Sequence, residues 1–144
     1  RSNVIEELLA ISGPEEGLEF FDSLGFQAVD AYRLSKECVT FYSLDMSSLG
    51  VERGICVNAV SPGATYTPIL DEFYATMDRE RLGQLRIAAG GREACPSEIA
   101  APIVFLLSPG ASWINGVNLI VDGGAEAAIM LGKLPDRCEQ VSGS

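Results

Sequence analysis

Histidine is missing from all 144 residues. That removes the commonest general base and the commonest metal-binding ring. Proton chemistry must then fall to Tyr, Lys, Asp, Glu or Cys. The four cysteines, Cys38, Cys56, Cys95 and Cys138, contain no Cys-x-x-Cys pair. With no histidine to join them, a zinc site is not expected and the metal set is empty. Positive charge is scarce, with 10 Lys and Arg against 20 Asp and Glu, a formal net charge of −10. That balance argues against nucleic acid, which needs clustered Lys and Arg, and against an anionic membrane surface. No apolar run reaches transmembrane length, and the N-terminus lacks the basic-then-apolar order of a signal peptide. The expectations are no nucleic-acid partner, no membrane, and a reducing cytoplasmic compartment.

What is present is enough apolar material for one core, at 47% hydrophobic residues. Val4, Ile5, Leu8, Leu9 and Ile11 recur at helical spacing over 3–11, and Ser12-Gly13-Pro14 breaks the run. Leu18, Phe21 and Leu24 predict a second short helix stopped at Gly25. A longer helix is predicted from Val29 to Leu49, with Gly50 as its stop. "GICVNAV" (54–60) reads as a buried strand closed by the turn Ser61-Pro62-Gly63. Thr67-Pro68 reads as a helix cap and first turn, followed by short helices and loop over 68–94. Pro96 opens a helix with Ile99, Ile103, Leu106 and Leu107 as its stripe, ended by Ser108-Pro109-Gly110. "GVNLIVDGG" (116–124) is a second buried strand with a glycine turn. Unbroken apolar strands suit a parallel α/β sheet covered on both faces. Two such strands are too few for an independent sheet.

Tyr32 and Lys36, in "AYRLSK", stand four residues apart and share a helix face. A phenol has an ordinary pKa of about 10, and a neighbouring ammonium lowers it. Such a pair can serve as general acid or base without histidine. Spacing alone also fits an ordinary surface pair. "NAVSPGATYTPI" (58–69) runs a strand into Pro62-Gly63, at the strand end where doubly wound folds place ligands. Gly63 would let a flat ring approach the backbone, and Thr67 could bond an amide while capping a helix. A plain strand–turn–helix connection is the alternative. Asp122 and its glycines are read as shaping a turn or a subunit contact rather than as chemistry.

Taken in order, these stretches resemble the C-terminal half of a short-chain dehydrogenase/reductase. "YRLSK" matches that family's Tyr-x-x-x-Lys motif. "GICVNAVSPG" matches its penultimate strand and Pro-Gly turn. "PSEIAAPIVFLLSP" and "INGVNLIVDGG" match its last helix and strand. The similarity covers about residues 28 to 124. "SPGATYTPIL" and "VDGGAEAAIM" look most like the bacterial 3α-hydroxysteroid dehydrogenase/carbonyl reductase branch. The resemblance implies an α/β fold, the C-terminal part of a Rossmann-type doubly wound parallel sheet. It divides the single partial domain into a helical insertion (1–27), a core (28–134) and a tail (135–144). It implies an NAD(P)-dependent oxidoreductase that interconverts an alcohol and a ketone or aldehyde, with a steroid or other hydrophobic carbonyl as candidate substrate. Tyr32 would pass the proton, and Lys36 would tune it and hold the nicotinamide ribose. Pro62, Gly63 and Thr65, with the Thr67 side chain, would fix the nicotinamide carboxamide. Tyr66 to Ala94 would form a lid over the substrate. A homo-oligomer, dimer or tetramer, would pair through the Tyr-bearing helix.

Two family features are absent. No G-x-G-x-x-G stretch occurs anywhere in the sequence. At the spacing where the family carries its catalytic serine stands Glu19, flanked by Ser12 and Ser23, neither of which ends a strand. The chain therefore reads as a C-terminal half. Serine, dinucleotide phosphates and the choice of NAD or NADP would belong to the other half. The alternative is a catalytically incomplete remnant that keeps only an oligomerising or interaction role.

Overall fold

Apolar spacing at the N-terminus folds into the two helices it predicts. The computed structural model describes residues 2–26, 28–76 and 79–134, so the 135–144 tail and Cys138 lie outside the described residues. Helix α1 spans Ser2–Ala10 and α2 spans Pro14–Ser23. Ser12-Gly13-Pro14 breaks the helical run as expected, and Pro14 also opens α2. In the first turn its missing N–H leaves no bond unmade. Gly25, at φ +64°, stops α2 as expected. Helix α3 runs Ala28–Gly50. Its Leu34 and Cys38 are buried with Ile5 of α1, and Val4, Leu8, Phe21 and Leu24 pack around them. Removing a side chain such as Ile5 from water contributes about 2 kcal/mol.

Gly50 is the last helical residue rather than a left-handed stop. The left-handed turn comes at Gly54, φ +66°, after a 3-10 turn at Val51–Arg53. Glycine is still required at position 50. A Cβ there would lie 2.5 Å from the carbonyl oxygen of Ile55, whose own N–H donates to the Gly50 carbonyl at 3.0 Å.

The strands are shorter than their apolar runs. β1 is Ala59–Pro62 and β2 is Asn118–Val121, paired as a two-stranded sheet. Ala59 N–H donates to Val117 O at 2.8 Å and Gly63 N–H to Val121 O at 2.9 Å. The offset is the same in both bonds, so the pair is parallel. Over 54–58 the ladder gives way to asparagine amides. Asn115 Oδ1 accepts from Val57 N–H at 2.8 Å, and Asn58 Oδ1 accepts from Val117 N–H at 3.1 Å. Ser61 and Pro62, expected in a turn, are strand residues. The expected double-sided burial is also corrected. Ile120 of β2 is 47% exposed, so among the described residues nothing fully covers its face of the sheet.

The chain divides into two compact units. One takes in residues up to Ala59 with Trp113–Asn118, and the other Val60–Ser112 with residues from Leu119 on. The second unit carries α4 (Leu70–Thr76), α5 (Arg79–Ala88), α6 (Pro96–Leu106) and α7 (Ala125–Met130). The polar 68–94 stretch is thus two short helices, within the predicted pattern. Asp122 caps the turn into α7, its two carboxylate oxygens accepting from Gly124 and Glu126 N–H at 2.8 and 2.7 Å. That is the turn role read from the sequence.

Candidate active site

Helical register puts Tyr32 and Lys36 one turn apart on α3, in the first unit. The ammonium lies over the phenol ring, 5.4 Å from its centroid. Such a contact holds both side chains by the attraction of cation for ring face. Tyr32 is 45% exposed, so its ring is open to a reacting partner. The two residues are therefore brought together as the spacing implies.

Gly63, Thr65 and Thr67 share one loop that follows Pro62, the last residue of β1, in the second unit. Thr65 Oγ1 donates to Gly63 O at 2.9 Å, and Thr67 Oγ1 donates to Thr65 O at 3.3 Å. Tyr66 N–H donates to Ala94 O and Ala94 N–H to Ala64 O, each at 2.9 Å, so the loop is pinned by a parallel bridge. Thr67 does not cap a helix, correcting the sequence expectation. α4 starts at Leu70, and the Thr67 hydroxyl reaches back to a nearer carbonyl. Gly63 has a structural cause of its own. A Cβ there would lie 2.8 Å from Asp122 Cα. The close approach of β2 demands the glycine before any ligand does.

The loop after β1, taken by itself, offers oxygen acceptors that would suit the carboxamide of a nicotinamide. Two threonine hydroxyls spend their protons inward, which leaves oxygen lone pairs to accept from a carboxamide N–H. In the first unit, the exposed Tyr32 phenol and the Lys36 ammonium would suit a proton carrier and a partner for hydroxyls.

Sequence reading missed a polar network beside this loop. The Tyr74 hydroxyl of α4 donates to Glu93 Oε1 at 2.8 Å. Arg86 of α5 reaches the same oxygen through Nε at 3.2 Å. Burial, then the bond to Glu93, pushes the Tyr74 phenol up and keeps it a donor. The Tyr74 hydrogen bond holds the Glu93 carboxyl below its ordinary value. Nothing in the sequence joins positions 74 and 93. A second group, also missed by the sequence reading, left a local signal. Glu98 stands three residues beyond Cys95, ahead of an apolar helix, the spacing of a capping box. Glu98 Oε2 accepts from Cys95 N–H at 2.7 Å, and Arg92 forks onto both Glu98 oxygens at 2.7 Å. The Arg92 bond draws the Glu98 carboxyl down to about 2. Among the described residues, no group of His, Cys, Asp or Glu could hold a metal ion. No described helix is long and apolar enough to cross a membrane.

Known proteins place these residues in context. A family model described as Enoyl-(Acyl carrier protein) reductase matches residues 21–126. The 3-alpha-hydroxysteroid dehydrogenase/carbonyl reductase of Comamonas testosteroni is 36% identical over 102 residues, 69% of this chain and 38% of that protein. The coniferyl-alcohol dehydrogenase of Pseudomonas sp. (strain HR199 / DSM 7063) is 30% identical over 125 residues, 86% of this chain and 49% of its own. A 4-hydroxyisoleucine dehydrogenase mutant, solved with NADH and succinate, superposes with a TM-score of 0.58 at 27% identity. The superposition covers 68% of this chain and 40% of that one. The chain thus spans less than half the length of each of these three proteins.

Proposed function

Because the chain belongs to the short-chain dehydrogenase/reductase family, we propose that it is the C-terminal part of an NAD(P)-dependent oxidoreductase. The reaction interconverts an alcohol and a ketone or aldehyde. The observation that carries this reading is the Tyr32–Lys36 pair, held together on α3 in a chain without histidine. The nicotinamide, when bound, supplies or accepts the hydride. Tyr32 gives its hydroxyl proton to the carbonyl oxygen in reduction, or takes it back from the alcohol in oxidation. Lys36 holds the ribose hydroxyls. The backbone of Pro62, Gly63 and Thr65 and the hydroxyl of Thr67 orient the carboxamide, and so choose the ring face that faces substrate. α4 and α5 form the lid that excludes water from hydride transfer.

Residues 1–144 form one partial Rossmann-type domain in this reading, with 1–27 as its helical insertion, 28–134 as its core and 135–144 as its tail. A hydrophobic carbonyl, a steroid among the candidates, suits the relatives' printed activities. Self-association through α3, in a reducing cytoplasm, completes the proposal. Val39 and Tyr42 of that helix are each 55% exposed, and Leu49 is 62% exposed.

Fluorescence titration of the intact enzyme with NADH and with NADPH tests the cofactor assignment. A Lys36→Met variant should bind the preferred dinucleotide about tenfold more weakly, as expected for loss of a charge-assisted bond. No nicotinamide signal with either dinucleotide would contradict the reading and favour an interaction role instead.

A further inference from the structure

Helices α4 and α5 have little apolar cohesion. Leu70 is the one buried hydrophobic residue described in α4, and α5 has none. Phe73, Leu82 and Leu85 are only half-buried, so polar contacts add to what places the two helices. Glu93 supplies two of them, since one carboxylate oxygen accepts from Tyr74 of α4 and from Arg86 of α5. The Glu93 side chain is 18% exposed, which weakens competition from water. The next residue, Ala94, is bonded on both backbone groups to Ala64 and Tyr66. A continuous path therefore runs from the two helices, through one carboxylate, to the loop that carries Thr65 and Thr67. Arg92, on the other side, ties the same strip to the start of α6 through Glu98.

We infer that Glu93 is a positioning residue that latches α4 and α5 to the loop after β1 and thereby sets the lid over the carbonyl substrate. The inference rests on the oxidoreductase reading for its functional half. Its structural half stands apart from that reading.

Hydrogen–deuterium exchange on the 144-residue chain tests the latch without turnover. Three variants are compared with the parent: Glu93→Ala, Glu93→Gln and Tyr74→Phe. Loss of the carboxylate or of the phenol hydroxyl should speed exchange across 70–76 and 79–88 by about tenfold. Glu93→Gln keeps an acceptor oxygen and should fall between Glu93→Ala and the parent. Exchange in α3 should not change. Unaltered exchange in α4 and α5 would overturn the latch. An equal rise in α3 would do so too, because it marks general destabilisation. In the intact enzyme, Glu93→Ala should raise KM for the carbonyl substrate about tenfold while dinucleotide affinity holds. An unchanged KM would overturn the positioning role. If the parent enzyme lacks nicotinamide-dependent turnover altogether, the oxidoreductase reading has failed, and the exchange result still decides the latch.

Discussion

Gly63 was legible in the sequence as a residue that must be glycine, but for another reason. A Pro-Gly turn at a strand end suggests room for a ligand. The structure places Asp122 Cα 2.8 Å from where a Cβ would stand. A partner nearly sixty residues away leaves no local trace, so only the fold could reveal it. Gly63→Ala should lower stability by about 1–3 kcal/mol, the usual cost of overpacking. Gly83→Ala, in the interior of α5 with nothing within 4 Å of the added methyl, should raise stability by about 1 kcal/mol. Chemical denaturation of the two variants checks the pair, and equal effects of one sign would contradict the packing account. The cysteines allow a second test. Burial, then the charge of Glu37, pushes the Cys38 thiol up, whereas Cys56 and Cys95 are exposed. Alkylation followed by peptide mass mapping should label Cys56 and Cys95 well before Cys38. Early labelling of Cys38 would show that the α1–α3 core is looser than described.

Helices α1, α3 and α6 were legible almost to the residue, because their apolar spacing and glycine or proline ends are local signals, whereas α4 starts two residues after its predicted first position and α7 was not predicted. Strands were not. Their runs at 54–60 and 116–124 gave the right places, but the lengths depend on which neighbours pair. Side-chain amides of Asn58 and Asn115 took over where the ladder stopped. The N-terminus of α6 gives this scale its prediction. Arg92 and the Cys95 N–H hold the Glu98 carboxyl down at about 2, against an ordinary 4.5. A depressed carboxyl contributes stability that is complete above its unfolded value and is lost as pH falls through the folded one. The contribution of this cap should therefore be constant above about pH 5 and decay between 4.5 and about 2. Glu98→Gln should remove that component. Thermal unfolding followed across this range would show a smaller difference between parent and variant at the acid end. A difference independent of pH would contradict the cap.

At the scale of the whole molecule, the sequence carried the family but only part of the proposed site. Tyr32, Lys36 and the 62–67 loop were readable because each belongs to one short stretch. The Tyr74–Glu93–Arg86 network was not, because its members come from three segments. Apolar faces remain uncovered in both units. Val39, Tyr42 and Leu49 lie on α3 in the first, and Val104 and Leu107, 66% and 82% exposed, lie in or just after α6 in the second. If the α3 residues form one patch, a second copy would cover it. Sedimentation equilibrium should give a mass above the 15.3 kDa of one chain, and Tyr42→Glu should shift it toward the monomer. A monomer at every concentration would remove α3 as a self-association surface. The central claim concerns Tyr32, and its most direct test is Tyr32→Phe in the intact enzyme. Turnover of a hydrophobic ketone and nicotinamide affinity are measured side by side. Loss of the proton donor should cut kcat by about 100-fold or more, with the dinucleotide Kd changed by less than about twofold. A variant that keeps most of its turnover would contradict the assignment of Tyr32 as the catalytic acid.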